Sequence, residues 1–169
     1  MTTDPNGIPP YPSVIRWFQP DGRTTPTEVS WLALNFRVPR SLIAAIIHVE
    51  SAGDPDAVSE AGAVGLMQVM PSDCKDELRK FFEDRPTSDA LRSPYINIVA
   101  GLIVLTAALR RARGDVSLAL ALYYGGVDES LNMTADGKLY GDLVLRTALV
   151  YKEALFGPLF ELEPVTLAP

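Results

Sequence analysis

The sequence predicts a mainly α-helical domain, and three observations predict it. Six segments carry helical start or stop signals, no run alternates apolar and polar residues as a half-buried strand would, and Ile98 to Leu109 is apolar on nearly every side, as the central helix of a fold is. The domain is expected over residues 25–157, between an extended Pro-rich arm at 1–24 and an extended tail at 158–169. With 169 residues, 47% of them hydrophobic, the chain is long enough to bury one core of its own.

In the arm, Pro5, Pro9, Pro10, Pro12 and Pro20 disfavour regular structure, and Val14, Ile15, Trp17 and Phe18 are expected to anchor it on the domain. Thr25-Pro26-Thr27-Glu28 joins an N-cap Thr, a Pro at the first helical position and a Glu at the third, which starts a helix that runs to about Phe36 and is closed by Pro39. Ser41 is expected to cap the next helix, through Ala52, which stops at Gly53 and turns through Asp54-Pro55. The small residues from Ala57 to Gly65 suit a tight loop and leave room for a small β element, and Leu66 to Met70 reads as a short helical segment. Phe81 and Phe82, in the charged stretch 72–89, are expected to face inward. Ser93-Pro94 opens a long helix to about Arg113, and Gly114-Asp115 ends it and caps another from Val116 to Tyr124, broken by Gly125-Gly126. A loop or short hairpin over 127–139 then leads to a last helix, Tyr140 to Phe156, stopped by Gly157-Pro158.

Composition narrows the partners. A net charge of -6 argues against nucleic acid, whose phosphates need clustered Lys and Arg. The single Cys74 excludes an internal disulfide and reads as an inert thiol. Residues 1–18 lack a charged segment followed by a long apolar run, so no secretory signal is read and synthesis in the cytoplasm is expected. The longest apolar segment, Ile96 to Leu109, is about 14 residues and interrupted by Asn97, Gly101 and Thr106, short for a membrane span. No His, Cys, Asp and Glu spacing resembles a zinc site and no Gly-Lys phosphate loop is present, so neither metal nor cofactor is implied.

The chemistry centres on Glu50. At 100° per residue, Ile43, Ile46 and Ile47 lie within about 60° of it, so the carboxyl shares the apolar face of its helix. Desolvation raises a carboxyl's pKa, and a place near the negative end of the helix dipole pushes the same way, which makes Glu50 a candidate general acid. Periodicity alone leaves open a border Glu that snorkels to water. His48, about 160° around the helix, is expected on the opposite, wetter face. Asp54, Asp56 and Glu60 are the nearby carboxylates, in turn positions where Asp commonly caps backbone amides.

The stretch from Glu50 to Pro71 carries a more specific pattern. Glu50-Ser51, Gly53-Asp54-Pro55, Ala57-Val58-Ser59, Gly62-Ala63, Gly65-Leu66-Met67-Gln68 and Met70-Pro71 together resemble the signature of the soluble lytic transglycosylases, peptidoglycan-cleaving relatives of goose-type lysozyme. Asn97-Ile98 with Gly101 is similar to that family's Asn-Ile-x-x-Gly, and Ala119-Leu120-Ala121-Leu122-Tyr123-Tyr124-Gly125-Gly126 to its Ala-Leu-Ala-x-Tyr-Asn-x-Gly, with Tyr124 where the family has Asn. The family's Thr-x-x-Tyr-Val finds Thr147-Ala148-Leu149-Val150-Tyr151, its aromatic one residue late. The resemblance covers roughly residues 30–155 and implies the α-helical lysozyme-like fold.

It also implies that Glu50 protonates the glycosidic oxygen of a peptidoglycan glycan strand, the substrate's acetamido group standing in for a second carboxylate, and that Ser51, Met67, Gln68, Tyr123, Tyr124 and Tyr151 meet the glycan. Each has a plainer alternative: a hydroxyl bonded to a helical carbonyl for Ser51, a loop-fixing amide for Gln68, a core side chain for Met67. Two other functions stay open, a goose-lysozyme-like hydrolase and a catalytically weak wall-binding component of a phage or secretion machine. Action at the wall after lysis, phage delivery or dedicated secretion is the matching expectation for location.

Overall fold

The computed structural model describes residues 12–18, 26–72 and 86–156; Thr25, Cys74, Phe81 and Phe82, and the expectations placed on them, lie outside these. The described helices are α1 (Pro12–Ile15), α2 (Pro26–Phe36), α3 (Arg40–Ser51), α4 (Pro94–Arg111), α5 (Val116–Tyr124) and α6 (Ala135–Phe156), with 3₁₀ turns at Arg16–Phe18 and Ala90–Arg92. Helix α3 packs chiefly along α6 and also meets α1 and α2, while α4 packs against α2 and α5, and α5 against α6. Ile43, Ile46 and Ile47 of α3 and Ile98, Leu102 and Ile103 of α4 are withdrawn from water. Each such side chain contributes about 1.5–3 kcal/mol.

Helix α4 runs from Pro94 to Arg111, close to the expected span, and its 18 residues and mean hydropathy of 1.2 match a membrane-crossing helix by length and composition, which the 14-residue apolar segment alone did not suggest. It is packed inside the domain. The buried amide of Asn97 donates to the carbonyls of Val64 and Leu91, both at 2.8 Å, and accepts from the Met67 amide at 2.7 Å, so its polar groups are satisfied by protein.

Four expectations about local structure change. Ser41 does not cap α3; it is buried within the helix, and Pro39 occupies the N-cap with φ of -58°, its carbonyl accepting from the amides of Leu42 and Ile43. The proline ring fixes a dihedral that permits the helix to begin at Arg40. Residues 66–70 are not helical: antiparallel bridges Val58–Val64 and Val64–Val69 fold the glycine-rich loop into a small β arrangement, with Gly65 at φ of +79°. The arm is not extended over 12–18. Val14, Trp17 and Phe18 are buried, and side chains of the arm donate to the turn after α3: Ser13 Oγ to Ala52 O, Arg16 and Trp17 Nε1 to Gly53 O.

Helix α6 starts at Ala135, five residues before the expected Tyr140, because Thr134 Oγ1 accepts from the Gly137 amide at 3.1 Å and so acts as its N-cap. Asp115 caps α5 as expected, its carboxylate accepting from the Leu118 amide at 3.0 Å, and Gly125 ends that helix at φ of +81°.

Candidate active site

Glu50 stands in the last turn of α3, half-buried, and lines a groove of about 350 Å³. One wall comes from the β arrangement (Ser59, Ala63, Gln68, Met70), and the other from the end of α5 (Tyr123, Tyr124). Glu50 is the one charged residue among the described residues lining it. Across the interface, Tyr140 of α6 donates its hydroxyl proton to Glu50 Oε1 at 2.5 Å.

Burial pushes the Glu50 carboxyl above its ordinary value, and the Tyr140 hydrogen bond partly opposes that rise. Burial, and then the neighbouring Glu50 charge, push the Tyr140 phenol well above its usual range. Tyr140 therefore stays a neutral donor across the working pH range. The carboxyl is oriented by the Tyr140 bond and partly withdrawn from water, an environment that favours its protonated form relative to an exposed Glu.

The β wall owes its shape to two close approaches. A Cβ on Gly65 would run into the Asn97 amide and the Leu91 carbonyl, and one on Gly101 would meet the Met67 side chain. Asn97 ties this wall to α4 from behind. Gln68 holds φ of +47°, uncommon for a residue with a side chain, and its Nε2 donates to the carbonyls of Ala57 at 3.2 Å and Gly65 at 3.0 Å. Gln68 thus fixes the loop, and it also lines the groove.

The remaining residues singled out from the sequence divide. Tyr123 lines the groove with its ring, but its hydroxyl donates to Met67 O at 2.7 Å. Tyr124 lines it too, 52% exposed, and stacks on Tyr140 with centroids 4.8 Å apart and planes at 16°. Ser51 is turned away; its hydroxyl bonds the Leu66 carbonyl at 2.8 Å and the Ile47 carbonyl at 3.1 Å, joining α3 to the wall. The Met67 side chain is fully buried and does not line the groove; its backbone amide and carbonyl hold Asn97 and Tyr123.

Tyr151 is no groove residue. It is fully buried, with its hydroxyl 2.9 Å from His48 Nδ1. His48 is accordingly not on a wet face; α6 covers it. Of the other carboxylates, Asp54 accepts from the Asp56 amide, Asp56 pairs with Arg92 at 3.4 Å, and Glu60 is exposed, none of them lining the groove.

The residue that sequence reasoning missed is Tyr140. Eleven residues separate it from Tyr151, which at 100° per residue puts both on one face of α6, about 16 Å apart along the axis. Facing was therefore uninformative and level decided. The Thr134 cap was the available signal, since a helix begun at Ala135 brings Tyr140 into its second turn.

A family model described as the transglycosylase SLT domain matches residues 30–138, most of the chain and every described residue lining the groove. The chain belongs to the transglycosylase SLT family. It is 42% identical over 80 residues to the membrane-bound lytic murein transglycosylase C of Glaesserella parasuis serovar 5, an alignment covering 46% of this chain and 22% of that protein. It is 35% identical over 105 residues to the transglycosylase of Enterobacteria phage PRD1, covering 62% of this chain and 36% of that one. The chain thus spans about a fifth of the first relative and little more than a third of the second. Among solved structures, an inactive mutant of the lytic transglycosylase Slt from Pseudomonas aeruginosa superposes with a TM-score of 0.67 at 27% identity, over 83% of this chain and 25% of that one. The 70 kDa soluble lytic transglycosylase from Escherichia coli gives 0.66 at 22% identity over 79% of this chain and 25% of that one, a likeness of fold. The mainly α, lysozyme-like architecture expected of this SLT-family chain is the one these structures share.

Proposed function

We propose that this SLT domain is a lytic transglycosylase that cleaves the β-1,4 bond between N-acetylmuramic acid and N-acetylglucosamine in peptidoglycan, with Glu50 as acid and then as base. The observation that carries the reading is the half-buried Glu50 carboxyl, bonded by Tyr140 and the one charged group among the described residues lining its groove. Glu50 gives its proton to the leaving glycosidic oxygen as the bond to the muramyl anomeric carbon breaks. The substrate's acetamido group stabilises that centre. The muramyl 6-hydroxyl oxygen then bonds the anomeric carbon while its proton passes to Glu50, which restores the acid. Tyr140 steadies the carboxylate in between by donating to Oε1, and the rings of Tyr123 and Tyr124 and the amide of Gln68 form the glycan-facing surface.

Hydrolysis needs a second group to activate water or to attack the sugar, and no second carboxylate lines the groove among the described residues. The tethered 6-hydroxyl has the effective-molarity advantage of an intramolecular nucleophile. Delivery to the wall by lysis, a phage particle or a dedicated secretion apparatus belongs to the same proposal, and the relative from phage PRD1 supports the phage route.

The test is digestion of purified sacculi followed by mass spectrometry. The expected products carry 1,6-anhydromuramyl ends, one water lighter than hydrolysed ends, and Glu50→Gln releases them at least about 100-fold more slowly. Mainly hydrated, reducing ends would establish the lysozyme-like hydrolase instead. No soluble product from the unaltered protein, with binding to sacculi retained, would establish a wall-binding domain.

A further inference from the structure

Tyr124 stands where the resemblance has an Asn, and the structure gives its ring a definite neighbour. The stack on Tyr140 is asymmetric: Tyr140 is 7% exposed and does not line the groove, whereas Tyr124 is 52% exposed and does. Tyr124 is thus the cover and Tyr140 the group covered. The cover is seated by a contact between two glycines, since a Cβ on Gly126 would meet the Gly137 backbone and one on Gly137 would meet the Gly126 carbonyl. That approach brings the end of α5 against the first turn of α6, and Tyr140 follows Gly137 by three residues, on the same side of the helix. The Thr134 amide, donating to Gly126 O at 3.0 Å, closes the same junction.

We propose that Tyr124 is a positioning residue for the acid: its ring, held by the Gly126–Gly137 contact, lies over Tyr140 and keeps the Tyr140–Glu50 hydrogen bond aligned and out of water. The inference rests on the proposed role of Glu50 and adds a ring that acts on Glu50 through Tyr140. A stacked aromatic pair is favoured beyond the area it buries, which helps to set the Tyr140 rotamer. A side chain without a ring, Asn included, leaves the outer face of Tyr140 open to solvent. Water then solvates the Glu50 carboxylate and relieves the burial that raises its pKa, which outweighs the opposite push from a loosened Tyr140 bond because burial is the larger of the two causes. The groups beside Glu50 from the packed elements are Tyr140 of α6, hydrogen-bonded to it, and Tyr123 and Tyr124 of α5, which line the same groove, with no cation among the described lining residues to offset that change.

The test separates ring from hydroxyl and does not depend on turnover. Carboxyl ¹³C NMR titration, with the Glu50 resonance assigned by its loss in Glu50→Gln, is run on the unaltered protein, Tyr124→Phe and Tyr124→Asn. The expected result is a Glu50 midpoint unchanged in Tyr124→Phe and moved to lower pH in Tyr124→Asn, with thermal unfolding of both close to that of the unaltered protein. On sacculi, the alkaline limb of activity moves the same way, with turnover down about three- to tenfold in Tyr124→Asn. An unmoved midpoint in Tyr124→Asn would overturn the proposal, and so would a shift in Tyr124→Phe as large as that in Tyr124→Asn, which would place the effect in the hydroxyl. Failure of the cleavage reading shows differently, as full activity in Glu50→Gln.

Discussion

At the scale of single residues, the same burial that suits Glu50 to acid catalysis works against the fold. Its folded pKa lies above that of the unfolded chain, so between those two values the native state binds more protons than the unfolded state, and stability falls as pH rises through that window. Glu50→Gln keeps the Tyr140 bond, because the amide oxygen accepts as the carboxylate does, and removes the ionisation. The variant is therefore expected to melt at a higher temperature than the unaltered protein at pH 7, with the gain shrinking as pH is lowered into the ordinary carboxylate range. Scanning calorimetry across pH checks it; equal melting temperatures at pH 7 would contradict the burial. The sequence made Glu50 legible because three isoleucines share its helical face, a local fact. Tyr140 was illegible for a non-local reason: which of two tyrosines on one face of α6 reaches Glu50 depends on how far α6 slides along α3. Ser51 and Met67 sat in a matching motif, yet motif identity does not say whether a side chain or its backbone does the contacting.

At the scale of elements, the active wall depends on one buried amide. The three hydrogen bonds of Asn97 tie the Val64–Met67 turn and the Leu91 carbonyl to α4, and removing them strips the Met67 amide and the Leu91 carbonyl of this partner, while the Val64 carbonyl keeps the Val69 amide. Asn97→Ala is expected to cost about 3 kcal/mol or more, and to lower activity further by loosening Gln68. Asp115→Ala is the matched control, since it removes a cap on the exposed start of α5 for about 1 kcal/mol without touching the groove. Urea unfolding with parallel sacculus digestion compares them; an Asn97→Ala protein no less stable than Asp115→Ala would mean that the wall stands without the amide. Sequence signals served the caps well here, as at Asp115 and Gly125, because capping is decided within one turn. They failed over 66–70, where a Leu-Met-Gln run with good helix propensity is overruled by a Val64–Val69 pairing and by the Asn97 tether. They failed again over 12–18, where the arm takes a short helical form while it packs on the turn after α3.

At the scale of the whole molecule, charge and groove make opposite demands. The chain carries -6, and peptidoglycan bears free carboxylates, so long-range electrostatics resist the encounter that the proposed function requires. The groove compensates by short-range means: its described lining is neutral apart from Glu50, and it presents tyrosine rings and a glutamine amide instead of cations. Affinity built this way does not depend on counterion release. Raising ionic strength from about 0.01 to 0.15 M shortens the screening length from roughly 30 to 8 Å, which removes the repulsion between domain and polymer and leaves stacking and hydrogen bonds at the site untouched. KM for sacculi is therefore expected to fall, by about two- to tenfold, while kcat stays level because the acid is shielded inside its groove. Initial rates over a salt series at fixed pH read both constants. A KM that climbs with salt would point to attraction through a basic surface, and a kcat that moves with it would show Glu50 exposed to the ionic atmosphere.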